Sequence, residues 1–204
     1  QEAIAMLEQI SRKVFARDLE DNFMHRGWLQ QWLAIIPQYV EWQIRRGERF
    51  RLEGVECALE VVHQATGCHL KGRIDRVERG AEGLAIVDYK TGEAAKRDEL
   101  LAGEAVQLPF YSMLTGEARK ETVARAEYLL LENRGVRPQA VLEGEELCKI
   151  SEAVTSRLDT LLQEIHRGAA LPAQGDEICC GRCPVTGICR RQWWETEPAT
   201  GGHD

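Results

Sequence analysis

Residues 72–92 read GRIDRVERGAEGLAIVDYKTG and carry Asp75 on one strand-like stretch and Asp88, Tyr89 and Lys90 at the end of the next. Side chains alternate along a strand, so Asp88 and Lys90 share a face and Tyr89 takes the other. The α-carbons of Asp88 and Lys90 then stand roughly 6.5–7 Å apart at ~3.3 Å per residue. A hairpin through the glycine-containing turn RGAEG can bring Asp75 opposite Asp88. Two carboxylates that close repel each other unless a cation lies between them. A hard cation such as Mg²⁺ prefers oxygen ligands and keeps several waters, one of which can become a nucleophile. An ammonium on the same face reaches the same phosphate group. In isolation an Asp/Lys pair at a strand end is more often a solvated ion pair of little energetic value, so the chemistry rests on what accompanies it.

A second group of candidate ligands lies near the C-terminus. Of seven cysteines, four fall in residues 179–189, three of them as Cys180-x2-Cys183-x5-Cys189. Thiolates at short spacing suit zinc or an iron–sulfur cluster, both of which usually take four ligands. Cys179 adjoins Cys180, which makes joint tetrahedral ligation awkward, and Cys57, Cys68 and Cys148 read as element residues. No secretory leader opens the sequence and no apolar run nears the ~20 residues of a membrane span. Metal binding in a reducing, cytoplasmic compartment is thus expected over a disulfide framework. A net charge of −7 does not advertise a nucleic-acid binder, yet it suits a site that collects divalent cations if a local basic surface meets phosphate. The five histidines match no ligand spacing.

Elements must position these groups. Residues 1–47 form a helical lead-in with apolar residues at three- and four-residue spacings, bent or interrupted at Pro37. Trp28, Trp32 and Trp42 on that stretch read as core or docking surface. Residues 50–168 read as an α/β core. Three strands (FRLEGVECALEVV, CHLKGRIDRVE, GLAIVDYKTG) are followed by a helix over ELLAGEAVQLPFYSMLTG, with Pro109 tolerable in a first turn. A buried strand VARAEYLLLE, a shorter partner PQAVLEG and an amphipathic helix ending at Gly168 complete it. Residues 176–194 form a cysteine-rich tail and 196–204 a loose end. The expectation is one α/β domain over 1–195, a mixed central sheet flanked by helices.

GRIDRVE, IVDYKTG and QLPFY, in that order, resemble the PD-(D/E)XK nuclease superfamily and within it the RecB-like and AddB-like exonuclease branch. The resemblance covers roughly Phe50 to Arg191 and implies a restriction-endonuclease-like core. It implies that Asp75 and Asp88 bind Mg²⁺ or Mn²⁺ with the backbone carbonyl of Tyr89. Lys90 would orient the attacking water and stabilise the charged phosphorane. Glu56 matches an acid on the first strand, and Gln107 and Tyr111 match a Q-x-x-x-Y element whose spacing puts both on one helix face. Arg73 and Arg76, flanking Asp75, are candidate DNA contacts. The same resemblance implies that Cys180, Cys183 and Cys189 supply three ligands to a [4Fe–4S] cluster in the full-length protein. The fourth cysteine, and a metal-binding histidine in a G-x-x-x-H setting, would lie upstream of Gln1, leaving the cluster absent or incomplete in this chain.

The functional expectation is a metal-dependent DNA exonuclease domain, the C-terminal part of a helicase–nuclease acting in double-strand-break repair. DNA and a helicase subunit would be its partners, with no membrane involved. A catalytically impaired module of the same fold that binds DNA or a subunit explains the missing histidine. A small zinc-binding interaction domain explains the tail but leaves DYKTG unexplained.

Overall fold

The computed structural model describes residues 1–16, 23–132, 135–170, 175, 180, 181 and 183–189. α1 (Glu2–Phe15) and α2 (Phe23–Gly47) realise the helical lead-in. Ser11 joins them: its hydroxyl donates to the Leu7 carbonyl and accepts from Trp32 Nε1, both at 2.7 Å. α2 runs on through Pro37, where a bend or an interruption was expected, without being interrupted. Proline removes one rung of the helical ladder, but Ile35 and Ile36 just before it are buried and Pro37 itself faces outward. Burial of that face offsets the lost bond.

Five strands of the described residues form one sheet in the order β1 (Arg51–Val62), β2 (His69–Gly80), β3 (Gly83–Lys90), β4 (Val123–Glu132), β5 (Gly135–Glu143). β3 and β4 pair in parallel and every other neighbouring pair is antiparallel. A parallel step needs a crossover, here α3 (Arg97–Leu101) and α4 (Gln107–Arg119). The sequence suggested a single helix over this stretch. Gly103, with φ of 73°, breaks it, since a left-handed residue after α3 ends the helical path. Pro109 is then the third residue of α4, where its missing N–H leaves no bond unmade.

The run Leu84-Ala85-Ile86-Val87 of β3 is buried throughout, as a central strand covered on both faces must be. Leu84 and Ile86 join Leu108 of α4, Ala126, Tyr128 and Leu142 in the core on one face. α2 covers the other face, where Tyr39 reaches Tyr89. α5 (Gly144–His166) follows β5 directly. The mixed sheet flanked by helices is the expected architecture. The chain divides into two compact units, Gln1–Leu162 and Gln163–Asp204. The sheet belongs to the first. In the second, a single turn α6 (Thr186–Cys189) holds the last cysteine.

Candidate active site

Asp88 follows the apolar run of β3 on the same face as Leu84 and Ile86 and is only 4% exposed. Lys90, next on that face, places Nζ 2.7 Å from Asp88 Oδ2 and donates to Gln107 Oε1 at 2.9 Å. Gln107 Nε2 in turn donates to Asp88 Oδ1 at 2.8 Å. The amide of Gln107, the first residue of α4, thus bridges acid and base and closes a triangle. Lys90 also stands 5.3 Å from the centre of the Tyr128 ring on β4.

Asp88 is not fully compensated. Oδ2 has the half-exposed Lys90 ammonium as its partner, and Oδ1 a neutral amide. Burial pushes the Asp88 carboxyl above its ordinary range; Lys90 pulls it back, and the charge of Asp75 pushes it further up. Burial likewise pushes the Tyr128 phenol, with Asp88 adding to it, up to about 12.

Asp75 arrives by an irregularity. Ile74 and Val77 both enter the core on one face although they are three residues apart, so the two-residue alternation of β2 breaks between them. Asp75 and Arg76 fill the interval. On β1 the matching position is Glu56, which lies between the pairs Val55↔Arg76 and Cys57↔Ile74 and has φ of 49°. The β2–β3 ladder stops at Arg76↔Val87, one residue short of the acids. Past that point the N–H of Tyr89 donates to Asp75 Oδ2 at 2.8 Å, in place of a ladder bond. The carboxylate of Asp75 therefore sits against the chain that carries Asp88, close enough to perturb it.

The structure thus brings together Asp75, Asp88, Tyr89, Lys90 and Gln107. Tyr111 lies one turn along α4, packed against the core with its ring over Gly72 of β2. Glu56 is left outside: its side chain is exposed and its partner is Arg73, at 3.5 Å. The left-handed backbone at Glu56 turns it away from the regular pleat, which strand alternation alone does not foresee. Arg73 is exposed, as a DNA contact requires. Arg76 is not, which corrects the expectation for it. It is 6% exposed, with Nε on Glu78 (2.7 Å), Nη1 on the Tyr89 hydroxyl (3.3 Å) and Nη2 on Gln43 (2.9 Å). The break at Asp75 turns Arg76 to the α2 face, away from Asp88.

Cys180, Cys183 and Cys189 are half-buried, with the Cys183 N–H donating to the Cys180 carbonyl at 3.3 Å. Cys179 and the tail from residue 190 lie outside the described residues. Tyr39, Gln43 and Arg46 of α2 escaped the sequence reading, as did Tyr128. The available signals were Glu78, Glu127 and Tyr128, polar groups inside otherwise buried strands, each of which demands a partner.

Asp75 and Asp88 fit a hard divalent cation. They are two carboxylates from adjoining strands, the buried one perturbed by the charge of the other, and an added positive charge relieves the repulsion between them. No cluster of three or more acidic, histidine or cysteine ligands forms among the described residues, so backbone carbonyls and water would complete the shell, as such cations accept. Among the same residues no helix is long and apolar enough to cross a membrane.

The fold recurs in solved structures. One described as "Putative exonuclease" from Eubacterium rectale aligns with 100% of this chain and 78% of its own, at 13% identity and a TM-score of 0.50. The structure of SSO0001 aligns with 76% of this chain and 67% of its own, at 17% identity and a TM-score of 0.40. No curated protein matches the sequence. The description of the PD-(D/E)XK nuclease superfamily matches residues 1–190, nearly the whole chain with the strands, α4 and the Asp75–Asp88–Lys90 group within it, and the chain belongs to that superfamily.

Proposed function

We propose that this chain hydrolyses DNA phosphodiester bonds with the help of Mg²⁺ or Mn²⁺ held by Asp75, Asp88 and the backbone carbonyl of Tyr89. The observation that carries the reading is the buried, under-compensated Asp88, bridged to Lys90 by Gln107 and faced by Asp75. A bound divalent cation supplies Lewis acidity and a water of lowered pKa. The residues do the remainder. Lys90 is half-exposed and presents its ammonium to a phosphate oxygen or an attacking water, while Gln107 fixes its direction. Donors held in place before charge develops stabilise it without reorganisation. Arg73 offers a further cation to the DNA backbone.

Exonuclease action draws support from the motif set, which resembles the RecB-like and AddB-like branch, and from the name of the Eubacterium rectale neighbour. The same resemblance extends the reading to a helicase partner and double-strand-break repair. It also assigns Cys180, Cys183 and Cys189 as three ligands of a [4Fe–4S] cluster completed elsewhere in the full-length protein. A non-catalytic DNA- or subunit-binding module is favoured by one observation, the position of Glu56 outside the acid group.

Incubating the chain with linear and with covalently closed circular DNA, with Mg²⁺, Mn²⁺ or chelator, separates these readings. Metal-dependent loss of the linear DNA alone is the expected result. Cutting of circles would replace exonuclease with endonuclease, and DNA binding without cleavage in any metal would favour the module.

A further inference from the structure

The two edges of β3 are held differently at its C-terminal end. On the β4 side the parallel ladder continues through Asp88↔Tyr128, Tyr89↔Leu129 and Lys90↔Leu130. On the β2 side it has stopped at Arg76↔Val87. Beyond that pair two ties cross from β3 to β2, and both come from Tyr89. Its N–H bonds Asp75 Oδ2 at 2.8 Å, and its hydroxyl accepts from Arg76 Nη1 at 3.3 Å. Asp75 and Arg76 are consecutive, so one residue of β3 grips two neighbours on β2, on opposite faces of the sheet.

The grip is braced from behind. The Tyr89 hydroxyl also lies 3.2 Å from that of Tyr39, which accepts from Gln43 Nε2 at 3.1 Å. Gln43 and Glu78 hold the remaining nitrogens of Arg76, and its guanidinium stands 5.4 Å from the centre of the Trp42 ring. Every polar partner of the phenol is thereby fixed by a second one.

We propose that the side chain of Tyr89 is a positioning group that acts through Asp75. Its hydroxyl, tied to Arg76 and Tyr39, holds the ends of β2 and β3 together where the ladder has ended, and so sets the approach of the Asp75 and Asp88 carboxylates on which divalent-cation affinity depends. The inference rests on the assignment of those two acids as the cation's ligands. Groups that orient metal ligands without touching the metal commonly change affinity by about 10- to 100-fold when removed.

Tyr89→Phe deletes one oxygen and keeps the ring. Mn²⁺ titration followed by electron paramagnetic resonance should show affinity weakened about tenfold, with the circular dichroism spectrum unchanged. Hydrogen exchange of backbone amides gives a metal-free readout. The amide of residue 89, bonded to Asp75, should lose protection in Tyr89→Phe, while the β3–β4 amides keep theirs. Wild-type Mn²⁺ affinity and an unchanged residue 89 amide in Tyr89→Phe would overturn the proposal. Asp88→Asn separates this failure from failure of the ligand assignment. If Asp88→Asn loses Mn²⁺ while Tyr89→Phe keeps it, the positioning role alone is wrong; if Asp88→Asn binds as wild type, both are wrong.

Discussion

Two clusters of charge sit on opposite faces of the same strands and are built on opposite terms. On the α2 face, Glu78 accepts from Arg46 and Arg76, each at 2.7 Å. Glu127 accepts from Arg125 through both oxygens, at 3.0 and 2.7 Å, and also pairs with Arg46. Arg46 stacks over Phe50, 4.0 Å from the ring centre. Both carboxylates are fully buried, and each of their oxygens has a cationic donor. On the α4 face, Asp88 is buried almost as deeply but has one half-exposed ammonium and one neutral amide, and it stands beside a second carboxylate. Buried charge that is paired and bonded in place serves architecture. Buried charge left short of partners marks a candidate functional site.

Mutations that remove one charge from each cluster should therefore fail in different ways. The largest effect belongs to the α2 face. Glu78→Ala removes the buried carboxylate that Arg46 and Arg76 share and should cost about 3–5 kcal/mol of stability, measured by denaturant unfolding. Any loss of cleavage should then track the unfolded fraction. A change of under ~1 kcal/mol would mean that solvent reaches this network and that the contrast between the faces is false.

Lys90→Ala on the other face should lower the cleavage rate by about 10²–10³-fold while the melting temperature stays near that of wild type. Cleavage at the wild-type rate would remove Lys90 from the chemistry. Gln107→Ala should cost less, about tenfold, because it orients Lys90 and Asp88 but carries no charge. An effect as large as that of Lys90→Ala would make the amide a participant.

The smallest effect is a pH dependence of stability. The folded value of Asp88 is raised above its ordinary 3.8. Its contribution to stability is thus present in full below the ordinary value and is lost as pH rises through the raised one. Asp88→Asn removes that loss. Without metal, the melting temperature of the variant should rise relative to that of wild type as pH increases above that ordinary value. A gap that narrows over that range would contradict the burial of an uncompensated acid.

Much of this was legible in the sequence. The period change at Phe50, the apolar run ending in Asp88 and the Gln107–Tyr111 spacing led to the sheet, the central strand and the helix over it, because alternation and helical period are local properties. The acids of β2 and β3 could be aligned from the hairpin turn. The fate of Arg76 and Glu56 could not. Both depend on the break in alternation at Asp75 and on the positive φ at Glu56, set by pairing across three strands rather than by either stretch alone. Arg46, remote in sequence from Glu78 and Glu127, shows the same limit: that a buried glutamate needs a cation is legible, but which helix delivers it is a tertiary fact.

The central claim is that the under-compensated acids at the ends of β2 and β3 receive a divalent cation. Crystals soaked in Mn²⁺ and measured at its absorption edge test it most directly. The expected result is an anomalous peak bonded to carboxylate oxygens of both Asp75 and Asp88 at about 2.1 Å, with Lys90 still beside it and no peak in crystals of Asp88→Asn. Carboxylates more than about 8 Å apart, too far to share a hard cation, or a peak that persists in Asp88→Asn, would contradict the account.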